Sequence, residues 1–325
     1  MTTPLVSVVI PTHQRRESLL RALASLATQS IPPEQYEVVV VVDGSDDGSR
    51  KAAESLPTQY SLRVLWQANR GRASACNAGV AAARGEVVVL LDDDMTATPE
   101  LLAAHLHAHA NGASLAVIGA APIRLVPEMP AHVQYVGGKF NRHLEHLEAA
   151  GRPVQLRDFY SGNLSIRRDV LEAVGAFDER FTVYGNEDLE LSIRLTDAGV
   201  RLVYEPAALA WQAYDKSFGA LARDNVAKGR TAVLLARLHP EAREQLKLGT
   251  FARDRLARRA VVKGLLALTR FVPRAREIIV ALVARLGDRR WPGVQRLYPA
   301  VLDYLYWGGV GEAERESSPL PPRRA

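Results

Sequence analysis

The chain has 325 residues, 47% of them apolar and 24% charged, the balance of an ordinary globular protein with room for one sizeable domain and an appendage. Its net charge of +5 invites a nucleic-acid reading, so the location of the basic residues matters more than their sum. A lone cysteine, Cys76, excludes an internal disulfide, no apolar run could span a bilayer, and no basic region precedes the first apolar stretch; the expectation is a cytoplasmic protein.

Val6 to Ile10 reads as a buried first strand ending at Pro11. A polar loop (Thr12, His13, Gln14) then precedes a helix with Leu19, Leu20, Leu23 and Leu26 along one face. Val38 to Val42 is a second buried strand, closed by the turn from Asp43 to Gly48. Leu62 to Trp66 is a third, followed by a helix from about Arg72 to Arg84, where Cys76 is expected to be buried and inert. Gly71, Gly79 and Gly85 fit close helix–strand packing.

Val87 to Leu91 is five apolar residues without interruption, as in a central strand buried on both faces. Asp92, Asp93 and Asp94 follow at once. Two unit charges 4 Å apart repel by about 1 kcal/mol in water and about 4 kcal/mol at an effective dielectric near 20. Three such groups at the edge of a core therefore call for a cation. Carboxylates suit Mg²⁺ or Mn²⁺, which one or two of them commonly hold together with a substrate phosphate. A solvated acidic turn capping the helix after Pro99 is the competing reading.

Strands alternating with helices imply parallel crossovers, with ligands beyond the carboxyl ends of the strands. Thr12, Asp43 and Asp92 to Asp94 all fall there and are expected to converge on one crevice. Leu115 to Ala121 is a candidate strand, and Pro122 to Pro153 reads as irregular. His105 and His109 lie one helical turn apart, a spacing that can hold zinc; with no third ligand they are expected, like His13 and His107, at the surface. Regularity returns at Gly162 to Ile166. Glu187 and Asp188 open a helix that ends near Gly199, and the macrodipole alone would favour acids in that turn. Arg201–Tyr204 and Leu209–Trp211 read as two short strands around Pro206.

From Ser217 the chain is expected to be helical and basic. Between Arg253 and Arg296 twelve basic residues face three acids, interleaved with apolar blocks. That alternation fits helices lying on an anionic membrane surface, which would place the protein at the inner membrane face, or helices packed on a partner. A solvated basic face is the plain alternative. No nucleic-acid recognition motif accompanies the charge, so nucleic acid is not expected. From Glu312 the composition is that of a disordered tail.

Five stretches in order, VSVVIPTHQR, VVVDGSDDGS, NRGRASACNAGVAAARGEVVVLLDDDM, YSGNLSIRRDVLEAVGAFDE and YGNEDLELSIRLTDAG, resemble the motifs of the family 2 inverting glycosyltransferases. The resemblance runs from about Val6 to Trp211. It implies an α/β GT-A architecture, Rossmann-like, with a mostly parallel central sheet flanked by helices over residues 1–216. A helical C-terminal appendage over 217–311 and a tail over 312–325 complete the chain. It further implies a nucleoside-diphosphate sugar contacted at Pro11 and Thr12, with its base bonded by Asp43. Arg72, Asn77, Asp92 and Asp93 would surround the nucleotide, and Asp92 and Asp94 would hold Mn²⁺ or Mg²⁺. Asp188 would be the catalytic base, and Glu187 would orient the acceptor or the helix end.

An acceptor at Asp43 can take the imide N–H of uracil or thymine, which leans towards UDP or dTDP over GDP. The sugar acceptor would be a glycan or a lipid-linked hydroxyl, as in building cell-envelope polysaccharide, with residues 122–153 shaping its site. Two positions depart from the family pattern. Cys76 stands where many members carry arginine, with Arg70 or Arg72 as substitutes, and Gln212 stands where many carry a histidine near the metal. Two other readings stay open. One is a non-catalytic glycan- or nucleotide-sugar-binding homologue. The other is a haloacid-dehalogenase-type phosphatase using Asp92 and Asp94, although three strands precede a motif which that family places after its first. A dehydrogenase is excluded, because Pro11-Thr12-His13 and not G-x-G-x-x-G follows the first strand.

Overall fold

The structure, a computed structural model, describes residues 3–150, 153–251, 255–272 and 274–316. In chain order the elements are β1 (Val6–Thr12), α1 (Arg16–Leu26), β2 (Tyr36–Asp43), α2 (Ser49–Glu54), β3 (Ser61–Gln67), α3 (Arg72–Ala82), β4 (Val87–Leu91), β5 (Met95–Ala97) and α4 (Leu101–His109). Then come β6 (Leu115–Ala120), α5 (Ala131–Ala150), β7 (Asn163–Arg167), α6 (Arg168–Ala173), α7 (Glu187–Asp197) and β8 (Arg201–Gln212). The chain ends with α8 (Phe218–Leu238), α9 (Lys247–Thr250), α10 (Leu256–Phe271), α11 (Ala275–Asp288) and α12 (Val294–Arg315).

The strands form one sheet in the order β3-β2-β1-β4-β7-β6-β8-β5. Pairs β3–β2, β2–β1, β1–β4 and β6–β8 are parallel; β4–β7, β7–β6 and β8–β5 are antiparallel. The apolar runs explain the layering. Successive side chains point to opposite faces, so Val8, Val40 and Val89 pack with Leu19 and Leu23 of α1 and Leu101 of α4. Val9, Val39 and Val88 pack on the other side with Cys76 and Val80 of α3 and Leu191 of α7. Each buried Val or Leu contributes about 1.5–3 kcal/mol of transfer free energy, which is why strands with no polar face settle in the middle of a covered sheet.

Four expectations are corrected. Residues 131–150 are a helix of 20 residues, not irregular chain; Val133, Leu144 and Leu147 are its buried stripe, and intervening polar residues and a Gly-Gly pair obscure that period. The segments around Pro206 are one strand. Glu205 pairs with Gly119 and Leu209 with Ala120, so residues 206–208 loop out of register and the missing N–H of Pro206 breaks no ladder bond. His105 and His109 are buried. The first bonds Asn163 Oδ1 at 2.9 Å and takes the Ser165 hydroxyl at 2.8 Å, while the second donates to Ser165 at 2.9 Å. They tie α4 to β7. Of the tail expected to be disordered from Glu312, residues 312–315 are helical, since α12 continues to Arg315; residues 317–325 lie outside the described residues.

The C-terminal helices build a second core around Phe218, Leu221, Tyr298, Tyr304 and Leu305. Tyr135 and Val136 of α5 pack against it, joining it to the sheet domain. α8 and α12 approach closely because each presents a glycine. A methyl group at Gly229 would collide with the Tyr306 carbonyl, and one at Gly309 with the Val226 carbonyl.

Candidate active site

The carboxyl ends of β1, β2 and β4 bring the predicted residues into neighbouring positions, each held by identifiable bonds. Asp43, at the end of β2, accepts from the N–H groups of Arg70 and Gly71 at 2.9 Å and from the Gln67 amide at 2.8 Å. Its carboxylate thereby fixes the loop that leads into α3. The first residue of that helix is Arg72. Its Nη2 and Nε reach one oxygen of Asp92 at 2.8 and 3.2 Å, and Nη1 donates to Ser161 Oγ at 2.9 Å. Nη1 also lies 3.7 Å from Glu187. Burial alone would lower the Arg72 pKa, but Asp92 and Glu187 more than offset it and hold it well above the usual arginine value.

Cys76 lies one turn beyond Arg72 on the same helix, fully enclosed, and burial pushes its thiol up to about 12. Of the two candidate arginines, Arg72 faces the acids, whereas Arg70 pairs with Glu179 at 2.8 Å. Asn77 is occupied elsewhere, clasping the backbone of Phe177 in both directions at 2.9 Å.

Arg15 was not singled out by the sequence. One of its nitrogens bridges Asp93 and Asp94 at 3.1 and 3.0 Å, and the other pairs with Asp215 at 2.7 Å. Thr12 donates to Asp93 at 2.7 Å, and Pro11 is buried in β1 beside Val41. Two guanidinium groups therefore offset much of the repulsion among the three carboxylates. Burial still pushes Asp93 up to about 7 against the pull of Arg15 and Thr12, and raises Asp94, with Asp92 adding to that. An arginine in a loop has no periodicity to betray it; only the acids it must neutralise point to it.

Among the described residues no three His, Cys, Asp or Glu side chains converge as a metal-ligand set. The oxygens present suit a divalent cation that takes one or two carboxylates and completes its shell with substrate phosphates. Asp94 Oδ1 has only a long 3.4 Å contact from the Gln212 amide. Asp92 Oδ2 lies where a side chain on Gly162 would stand, the Cβ position being 2.5 Å away, so glycine leaves that oxygen open.

Asp92 and Arg72 line a cavity of about 410 Å³ with Glu187, Asp188 and Gln212. Pro11, Thr12, Asp43, Asn77, Asp93 and Asp94 do not line it. Glu187 and Asp188 form the first turn of α7 behind Gly185 and Asn186. Glu187 accepts the Gly185 N–H at 2.9 Å and Asp188 the Leu189 N–H at 2.8 Å. Burial raises the pKa of both, and for Glu187 the neighbouring Asp188 charge adds to it. A further wall comes from α8, through Leu221, Asn225 and Lys228, and another from Val136 and Phe140 of α5. The sequence carried no signal for the α8 contribution, because it depends on a contact between distant helices.

Residues 7–175 match the family described as Glycosyl transferase family 2, and residues 142–213 match one described as the N-terminal domain of galactosyltransferase. The first match spans more than half of the chain, which therefore belongs to glycosyl transferase family 2. The chain is 31% identical over 226 residues to the validoxylamine A glucosyltransferase of Streptomyces hygroscopicus subsp. limoneus, covering 61% of this chain and 49% of that protein. It is also 31% identical over 245 residues to the pre-mycofactocin glycosyltransferase of Mycobacterium tuberculosis, covering 73% and 48%. The chain thus spans about half the length of these two relatives.

Among solved structures, the mannosyltransferase PcManGT from Pyrobaculum calidifontis, in complex with GDP-Man and Mn²⁺, superposes with a TM-score of 0.63 at 21% identity, covering 98% of this chain and 89% of that one. S. aureus TarS 1–349 in complex with UDP gives 0.52 at 18%, covering 96% and 91%. These likenesses show the fold, and the α/β GT-A expectation with C-terminal helices holds. The phosphatase reading finds no support, since Asp92 follows the fourth strand and lies inside the family 2 match.

Proposed function

We propose that the chain is an inverting, metal-assisted glycosyltransferase that moves a hexosyl group from a nucleoside-diphosphate sugar to the hydroxyl of a glycan or lipid-linked acceptor. The observation that carries this reading is one cavity lined both by Asp92 with Arg72, at the end of β4 and the start of α3, and by Glu187 and Asp188, in the first turn of α7. Negative charge develops on the departing diphosphate while an alcohol loses its proton at the opposite face of the anomeric carbon. Such a reaction needs positive charge and a base on different elements of one pocket. Asp92 and Asp94 would hold Mn²⁺ or Mg²⁺, which when bound would supply Lewis-acid stabilisation of the leaving phosphate.

The protein's own groups do the rest. Arg72 fixes the Asp92 carboxylate and adds charge near the diphosphate. Asp188 takes the acceptor proton, and its raised pKa makes it a stronger base close to neutral pH. Glu187, held by the Gly185 N–H and facing Arg72, orients the turn that carries Asp188. On the nucleotide, the three donors on Asp43 leave lone-pair capacity for an imide N–H, which supports UDP or dTDP. The solved neighbours hold GDP-Man in one case and UDP in another, so all three belong in the screen.

Nucleotide-sugar hydrolysis with Mn²⁺ in wild type and in Asp188→Ala tests the reading. Turnover that falls at least about a hundredfold in the variant, a size typical of losing a general base, supports it. Binding of nucleotide without any turnover in wild type would return the chain to the non-catalytic alternative.

A further inference from the structure

We infer that the outward faces of α10 and α11 form a docking surface for an anionic lipid bilayer. α10 carries two apolar stripes. Val262, Leu265 and Leu266 turn inward to the core around Tyr304. Ala257, Val261, Gly264, Leu268 and Phe271, spaced by four and three, all face solvent, with Phe271 84% exposed and Val261 50%. α11 repeats the device: Val280 and Val283 pack inward while Ile278 and Leu282 are 60% and 56% exposed. Single exposed leucines are ordinary, but apolar stripes continued over two successive helices mark an interaction surface.

The charges separate in the same way. Arg258 and Arg276 turn inward and pair with Asp303 and Glu312. Arg255, Lys263, Arg270, Arg274, Arg285, Arg289 and Arg290 are exposed, and among the described residues none of them makes an ion pair. Only Glu277 and Asp288 on these two helices oppose them from exposed positions. Trp291, 47% exposed, follows two of those arginines, as an amphipathic ring does at a headgroup boundary.

Three occupants could cover such a face. A second copy would meet it by a two-fold axis and set arginine against arginine, a like-charge contact that disfavours association. Nucleic acid would use the cations but leave Phe271, Ile278 and Leu282 in water. An anionic bilayer takes both, the apolar stripe entering the headgroup–acyl boundary and the cations meeting lipid phosphates. No helix among the described residues is long and apolar enough to cross a membrane, so the arrangement is one of lying on the surface. This inference does not depend on the transfer chemistry.

Co-sedimentation of the full chain with phosphatidylcholine vesicles, with and without phosphatidylglycerol, tests it without any activity readout. Expected is pelleting with the anionic vesicles only, lost at high salt. Lys263→Gln and Arg270→Gln each weaken partition about fivefold. Phe271→Glu with Ile278→Glu abolishes it, with circular dichroism and thermal unfolding unchanged because both side chains face solvent. Anionic vesicles also shift tryptophan emission to the blue in wild type but much less in Trp291→Phe, a readout that tolerates a perturbed double variant. The inference is overturned by equal or absent pelleting with the two vesicle types, or by pelleting that survives Phe271→Glu with Ile278→Glu. A wild-type dimer that the double variant splits would assign the face to a second copy, and salt-sensitive retention of duplex DNA without vesicle binding would assign it to nucleic acid.

Discussion

Arg72 sets two nitrogens on a single oxygen of Asp92, at 2.8 and 3.2 Å, and its remaining nitrogen lies 3.7 Å from Glu187. One guanidinium thus joins an acid that follows β4 to an acid that opens α7, both of them lining the cavity. Lysine keeps the charge but not the planar fork, so Arg72→Lys is expected to lower kcat about 10–100-fold, the loss of one or two charge-assisted hydrogen bonds. Its melting temperature should stay near wild type. Arg72→Ala, which leaves the buried Glu187 and the partly exposed Asp92 without their cation, should cost about 1–3 kcal/mol of stability as well. Steady-state kinetics beside thermal unfolding separates the two effects.

Activity and stability should respond to pH in opposite senses. Glu187 is pushed up to about 7 and Asp93 to about 7, with Asp188 raised in the same direction. A carboxyl whose folded pKa exceeds its unfolded value binds more protons when folded. Its stabilising contribution is complete below the unfolded value near 4 and is lost as pH rises through about 7. The ligand-free protein should therefore melt at lower temperature at pH 8 than at pH 5.5, and Glu187→Gln should flatten that slope. Turnover should instead rise with pH from above the ordinary aspartate range, because the base must be ionised and burial raises the pKa of Asp188. The Lys228 charge favours ionised Asp188, so Lys228→Met should move the rate midpoint upward.

The sheet was readable because uninterrupted Val and Leu runs leave a strand little choice but the covered middle, and Asp92 to Asp94 stood out because like charges at a strand end demand an explanation. Legibility ended where an effect depended on a distant partner. Nothing local marks Arg15 as the bridge between Asp93 and Asp94, or Lys228 as part of the cavity wall. His105 and His109 look like surface residues until Asn163 and Ser165, far along the chain, satisfy them in the interior. In α5 the paired glycines and scattered charges hid an apolar stripe that only its burial in the folded chain reveals.

Nucleotide binding should depend on the cation through Asp94. A ligand at a hundred times its dissociation constant stabilises by about 2.7 kcal/mol, so UDP or dTDP with Mn²⁺ should raise the melting temperature measurably. In Asp94→Ala the Mn²⁺-dependent part of that rise should vanish. A rise that persists there would remove Asp94 from the ligand set. Gln212→His, placing an imidazole beside Asp94 Oδ1, should lower the Mn²⁺ concentration for half-maximal stabilisation about tenfold, since imidazole is the better donor to transition metals.

Two glycines should give opposite signatures when each becomes alanine. At Gly79 the added methyl would meet Val9 in the packed core between α3 and β1, where overpacking costs about 1–3 kcal/mol and the cavity is not touched. Melting should drop by several degrees with kcat/KM held within about twofold, since rates read the barrier and not global stability. At Gly162 the methyl would stand 2.5 Å from Asp92 Oδ2, and the backbone there is not left-handed, so alanine fits the chain but not the carboxylate. Turning Asp92 away from both Arg72 and the cation should lower kcat/KM about 10–100-fold, the range for a misplaced charged group. The melting temperature should stay close to wild type. If Gly162→Ala instead lowers stability and spares turnover, Asp92 Oδ2 does not serve the reaction, and Asp94 alone remains as the acid that binds the cation.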